Sequence, residues 1–199
     1  RLGLAMHELG ASARAHHDLH QAASPVLDQL RNITRETVQV AVLDGREVVY
    51  VERRESPQTL RLFGRVGLRN YAHCTSTGKA MLAFLPEDEL ELLLTDWKPP
   101  RRTQYTITDI AVLRRELMKV RAQGWAENIN ESEVGIASVA APVRNVFGQV
   151  VASVSVAGPI QRLDGASLKR FARPVVEAST AISKRMGWRE GSNETGRSS

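Results

Sequence analysis

The sequence is short of cysteine: Cys74 is the only one in 199 residues. A lone thiol forms neither an intramolecular disulfide nor a cysteine-rich zinc module, so a reducing, cytosolic setting is the default. Long apolar runs are missing too. The two longest, around residues 134–143 and 150–160, fall short of the ~18 residues that a membrane-spanning helix needs. Both are internal and lack the flanks of a signal peptide. Blocks of basic residues are also absent: Arg53-Arg54, Arg101-Arg102 and Arg114-Arg115 are isolated pairs. The surplus of 27 Lys and Arg over 22 Asp and Glu leaves a mild net charge of +5, which reads as a solvated face rather than a phosphate-binding track. With 14 Gly and 8 Pro, collagen and low-complexity linkers are excluded. What is present is an ordinary globular balance, 42% hydrophobic and 25% charged, at the length of one generous domain or two small ones. A soluble protein with no membrane partner is expected. The chain opens at Arg1, without an initiator Met and already in helical pattern, and is read as the remainder of a longer protein.

The first segment has a clear period. Leu2, Met6, Leu9, Ala13, His16, His20, Ala23, Leu27 and Leu30 recur at alternating spacings of four and three, a heptad-like seam. Pro25 lacks an N–H and Ser24 suits an N-cap, which predicts helix, kink, helix over residues 1–32. Residues 1–24 read as a linker helix. Residues 37–43 alternate Val38, Val40 and Val42 with Thr37, Gln39 and Ala41, Asp44-Gly45 signals a hairpin turn, and 47–53 is the return strand. Short strands are expected at 59–63 and 66–71, then helices over 75–85 and 87–95. Asp109 caps an amphipathic helix carrying Leu113, Leu117 and Val120 and stopping at Gly124. Strands follow at 125–131, 136–144 and 149–157, and a last helix begins at Asp164 or Ser167 and ends before Gly187. The polar tail, 188–199, is expected to be disordered. This order predicts an α+β body over residues 25–187, an antiparallel sheet with helices to one side.

The late strands carry the most information. On the last one, Val150, Ala152, Val154 and Val156 form an apolar face, while Val151, Ser153, Ser155 and Ala157 are small and partly hydroxylated. Ser138 lies between Ile136 and Ala140 on one face of the strand before it, and Asn128 alternates with Glu127 and Ile129. Small residues leave space, and a hydroxyl in that space needs a partner. A cavity lined by Asn128, Ser138, Ser155 and Ala157 is one reading; serines meeting water or a covering helix is the other. Thr75-Ser76-Thr77-Gly78-Lys79 adds a capped helix start whose free amides attract carboxylates and phosphates. It is not a Walker loop, because Ala80 stands at the Ser/Thr position.

Together these residues resemble the effector-binding domain of IclR-type bacterial transcriptional regulators. The matching pieces include Thr37 to Leu43 with Gly45, Val66-Gly67 before His73, and Gly78-Lys79-Ala80 with Leu82-Ala83. Further along come Gly124-Trp125-Ala126, Glu131 with Gly135, Ala140-Ala141-Pro142-Val143, and Ser155 with Gly158-Pro159. The resemblance covers about residues 1–187. It implies a GAF-like or PAS-like fold preceded by a long linker helix, and a winged helix-turn-helix that is missing here and would contact operator DNA. It implies a homodimer or tetramer, with no cofactor. Carried over position by position, the family's effector pocket falls on Thr59, Leu62, Ser76, Thr77, Asn128, Ser138, Ser155 and Ala157. Some relatives present an acid at Asn128, a thiol at Ser138 and Gly-Ala at Ser76-Thr77, so the pocket here is neutral and hydroxyl-rich. A small organic acid is the expected effector, aromatic acids included. Its carboxylate would meet the amides of Ser76 to Gly78, with a ring or short chain against Leu62 and Ala157.

Two other chemistries compete. His73 beside Cys74 would suit a thiol nucleophile, but neighbours on a strand point to opposite faces, and no Ser-His-Asp set accompanies them, so no enzyme is expected. His16 and His20 form an i, i+4 pair that resembles a weak zinc site; interface histidines explain them better, and no metal is assigned. A ligand-free oligomerisation module is the remaining alternative.

Overall fold

The computed structural model describes residues 2–189, with side chains from residue 17 onward. The first helix, α1 (Leu2–Thr34), runs unbroken through Pro25. The expected kink with Ser24 as N-cap is replaced by a different arrangement. Arg54 donates from Nη2 to Ser24 Oγ at 2.7 Å and from Nε to Asp28 Oδ1 at 2.8 Å, holding the helix on both sides of the proline. The seam residues Ala23, Leu27 and Leu30 are buried against the chain's own sheet, together with Leu19 and Val26. This part of the helix therefore belongs to the core, and it crosses the expected boundary at residue 24 without a break.

A two-residue turn, with Gly45 at φ 59°, joins β1 (Thr37–Asp44) to β2 (Glu47–Arg54). Past a short β3 (Arg69–Tyr71) and a 3-10 turn (Ala72–Cys74), α2 (Ser76–Leu82) is capped by the Thr75 hydroxyl, which accepts from Gly78 N. Next come α3 (Glu87–Leu94) and α4 (Ile110–Gln123). Asp109 caps α4, and Gly124 at φ 83° ends it, as expected from the sequence. Then follow β4 (Ala126–Ile129), β5 (Ile136–Arg144), β6 (Val150–Pro159) and α5 (Gly165–Arg185), whose N-cap is Asp164. The strands form one antiparallel sheet in the order β3-β2-β1-β6-β5-β4.

Helices cover both faces, not one. Val38, Val40, Val139, Val154 and Val156 face α1 and α5, where Leu27, Leu168, Val175 and Ile182 meet them. Ala41, Val48, Tyr50, Ala126 and Ala140 face Met81, Leu82, Leu90 and Leu113 from α2, α3 and α4. The strand expected at 59–63 does not form, and the next shrinks to Arg69–Tyr71. Residues 55–68 instead cross over the sheet as a loop, with Gly67 at φ 85°. Arginines bind its carbonyls where a strand ladder would: Arg53 Nη2 reaches Leu62 O at 2.6 Å and Arg162 Nη2 reaches Leu60 O at 2.8 Å. Of the tail expected from residue 188, Trp188 is held to α5, its N donating to Ser183 O at 2.9 Å; residues 190–199 lie outside the described residues.

Candidate functional site

The α2 side of the sheet is not completely filled. Strand register builds two cross-strand rows there: Asn128, Ser138 and Ala157 in one, and Ala140, Ser155, Gln39 and Arg53 in the next. Between these rows, the start of α2 and the loop 55–68 lies a cavity of about 460 Å³, within the roughly 300–1,000 Å³ of small-molecule sites. A larger groove of about 770 Å³ lies between α1 and the turn at Val146 and Phe147, but Leu19, Ala22, Val42, Val151 and Met186 make its wall mainly apolar. Convergent buried polar groups mark the smaller one as the candidate site.

Six of the nine residues singled out in the sequence line this cavity: Leu62, Ser76, Asn128, Ser138, Ser155 and Ala157. Ser76 and Ser138 share a hydroxyl hydrogen bond of 2.7 Å that ties α2 to β5. Asn128 donates to Ser132 Oγ at 3.1 Å and accepts from Glu131 N at 2.8 Å. Three residues do not line it. Thr59 is exposed on the loop. Thr77 is buried against Tyr50, whose phenol burial pushes above its ordinary pKa while the Thr77 hydroxyl opposes the shift; its carbonyl accepts from Ser153 Oγ at 3.1 Å. Gly78 packs on the Ala72 backbone, and its amide is already bonded to Thr75 Oγ1 at 3.2 Å. A carboxylate therefore cannot use the Gly78 amide without displacing the cap.

The structure adds Gln39, Tyr50, Arg53, Arg61, Asn70 and Ser132 to the lining. Gln39 alternates with the valines of β1, so its face was readable, but Arg53 was not. By plain hairpin counting from Asp44 and Glu47, Gln39 would face Glu52. A bulge at Val51 shifts the register, so that Val40 pairs with Glu52 and Gln39 with Arg53. Glu52 then turns to α1, where its carboxylate meets the His20 Nδ1.

A second polar cluster stands behind the cavity. Lys79, 1% exposed, places Nζ 2.6 Å from Glu131 Oε1 and 3.7 Å from Glu116 Oε1. Burial raises the Glu131 pKa, and Lys79 opposes the rise. Thr106 Oγ1 donates to Glu131 O at 2.7 Å. These bonds hold the segment from Asn128 to Gly135 at the cavity wall.

The geometry does not support the Cys74 chemistry. His73 and Cys74 sit on a 3-10 turn rather than a strand. Burial lowers the His73 pKa to about 4, and its Nε2 lies 3.1 Å from Pro100 O. The Cys74 thiol is fully buried and pushed up to about 12, chiefly by burial and next by the Glu131 charge. Iodoacetamide at pH 8 is therefore expected to leave Cys74 unmodified in the folded protein and to alkylate it in urea, as read by mass spectrometry. His20 pairs with Glu52, and the side chain of His16 lies outside the described residues. Among the described residues no group of three or more His, Cys, Asp or Glu could hold a metal ion, and no helix is long and apolar enough to cross a membrane.

The family model "Bacterial transcriptional regulator IclR C-terminal" matches residues 11–184. The chain belongs to the IclR family. The regulator KdgR of Escherichia coli K12 is 34% identical over 95% of this chain and 72% of its own length. Among solved structures, the IclR protein of Thermotoga maritima superposes with a TM-score of 0.83 at 31% identity, covering 92% of this chain and 74% of its own. The inducer-binding domain of PobR from Acinetobacter, a double mutant solved with 3-hydroxybenzoic acid, gives a TM-score of 0.75 at 27% identity, covering 82% and 96%. The six-stranded sheet with its packed helices is thus the IclR C-terminal fold, of GAF/PAS-like type. The IclR relatives are transcriptional regulators, and this chain stands with them rather than among enzymes.

Proposed function

We propose that this IclR chain is the effector-binding and oligomerising part of a cytoplasmic regulator that senses a small organic acid and binds operator DNA through an N-terminal domain. The observation that carries the reading is the polar cavity, where Ser76, Asn128, Ser138 and Ser155 offer hydroxyl and amide groups beside Leu62 and Ala157. PobR, of related fold, is a transcription factor whose inducer-binding domain, as a double mutant, forms a complex with 3-hydroxybenzoic acid. A ligand acts on DNA binding only if its affinity differs between two arrangements of the domains.

Contacts that would transmit such a difference converge where α1 ends. Ser56 Oγ donates to Arg35 O at 2.8 Å. Arg162 grips Glu36 through two bonds of 2.5 and 2.8 Å while also holding Leu60 O on the cavity loop. Movement of that loop therefore pulls on the junction between α1 and β1, and α1 leads towards the DNA-binding side.

The test is a thermal-shift screen against aromatic and aliphatic organic acids. At a hundredfold excess over Kd, a single-site ligand stabilises by about 2.7 kcal/mol. Ser155→Leu, which fills the cavity, is expected to abolish the shift while leaving the unliganded melting temperature near that of the unmodified protein. No shift with any acid would favour a ligand-free assembly module instead.

A further inference from the structure

Resting on that reading of the cavity, we infer that Arg53 is the receptor for the effector's carboxylate, and that the effector is a hydroxylated monocarboxylic acid lying along the row Arg53, Gln39, Ser155. The Arg53 side chain is only 6% exposed and lines the cavity. Its Nη2 donates to Leu62 O at 2.6 Å, whereas its Nε is buried without a hydrogen-bond partner among the described residues. A guanidinium stays charged and has donors in a fixed fork suited to a carboxylate. An unmatched buried donor at the wall of a polar cavity is costly unless something in that cavity accepts from it.

The surroundings fit a carboxylate. Arg61 lines the same end of the cavity. Glu55, at the rim, lies 3.9 Å from Arg53 Nε and 3.0 Å from Arg61 Nε, so one carboxylate can reach both guanidinium groups. That carboxylate is half-exposed and free to yield to a ligand, and Glu133 is the other acid bordering the space. Gly64 closes over the site: a Cβ there would stand 2.9 Å from Arg53 Nη1, so the absent side chain lets the loop lie on the guanidinium. Beyond Arg53, the row continues through the Gln39 amide to the Ser155 hydroxyl on β6. Two strand spacings of roughly 4.8 Å separate β2 from β6, which places a ligand hydroxyl several ångströms from the acid group.

The experiment is calorimetric titration of the full chain with a panel of hydroxylated monocarboxylates that includes 3-hydroxybenzoate and D-gluconate. Each acid is paired with its carboxamide. For an acid that binds, the carboxamide and Arg53→Gln are each expected to weaken binding about tenfold to hundredfold, the range of a lost charge-assisted hydrogen bond. Glu55→Gln removes the competing carboxylate and is expected to tighten binding by about two- to fivefold. The carboxamide comparison uses the unmodified protein and so stands whether or not the Arg53 variant folds. An acid that Ser155→Leu still excludes, but that binds no better than its carboxamide or is unaffected by Arg53→Gln, overturns the role of Arg53 and leaves the cavity reading intact. A panel in which no acid binds overturns both.

Discussion

Gly78→Ala is expected to destabilise the protein by about 3 kcal/mol or more, the upper range of forced overpacking. A Cβ at this position would fall inside the Ala72 backbone, striking its carbonyl oxygen and Cα. Backbone cannot rotate aside as a side chain can. Relief would require α2 to lift from the 3-10 turn before it, and α2 is buried along its whole length between the sheet and α4. At roughly 2–4 °C per kcal/mol for a chain of this size, the melting temperature should fall by about 6–12 °C or more. Urea unfolding should show the same loss as a lower midpoint with an unchanged slope, the sign of a stability change rather than a change in compactness. The Gly78 requirement is thus one of packing, not of positive φ and not of ligand contact.

Lys79→Met should be equally costly, and in a pH-dependent way. The lysine is buried with Glu131, whose second oxygen has no hydrogen-bond partner among the described residues. Removing one member of a buried ion pair strands the other, typically at about 3–5 kcal/mol. Glu131 already has a raised pKa because burial outweighs the attraction of Lys79, and without that cation the pKa must rise further. An acid with a raised folded-state pKa costs nothing when it is protonated in both states. The cost appears as pH climbs past the unfolded value of about 4.3, and it is complete above the folded value. The Lys79→Met deficit, measured by urea unfolding, is therefore expected to be smaller at pH 5 than at pH 8. Lys79→Met with Glu131→Gln should recover much of the loss at pH 8, because residue 131 is then neutral and Glu116, the other partner of Lys79, keeps Lys119 at 3.8 Å. Equal deficits at the two pH values would show that lost lysine packing, not the stranded carboxylate, accounts for the effect.

Both residues belong to the Gly78-Lys79-Ala80 stretch that carried part of the family resemblance, and the structure shows why the type of residue matters at each position. Other parts of the sequence reading needed correction where local signals met long-range ones. Pro25 and Ser24 do signal a helix start, yet Arg54 and the burial of Ala23 and Leu27 carry one helix across them. Residues 59–63 alternate weakly, but a loop held by arginine to carbonyl bonds takes the place of a strand. Thr75 was legible as a cap, whereas the cap's use of the Gly78 amide, which removes that amide from ligand binding, was not.

The sequence by itself determined the faces of β1, β4, β5 and β6. Val38, Val40, Val154 and Val156 on one side, with Gln39, Ser138, Ser155 and Asn128 on the other, follow from period-two alternation. So do the hairpin at Asp44-Gly45 and the helix between Asp109 and Gly124, because turn and cap chemistry is local. Only the tertiary structure decided which charge enters the cavity. A single extra residue at Val51 reverses the alternation beyond it, turning Arg53 inward and sending Glu52 to His20 on α1. Without the bulge, simple counting would have placed a carboxylate where the guanidinium stands. Whether a bulge forms depends on how β2 must bend to meet β1, α1 and the covering loop together, and those contacts are distant in sequence.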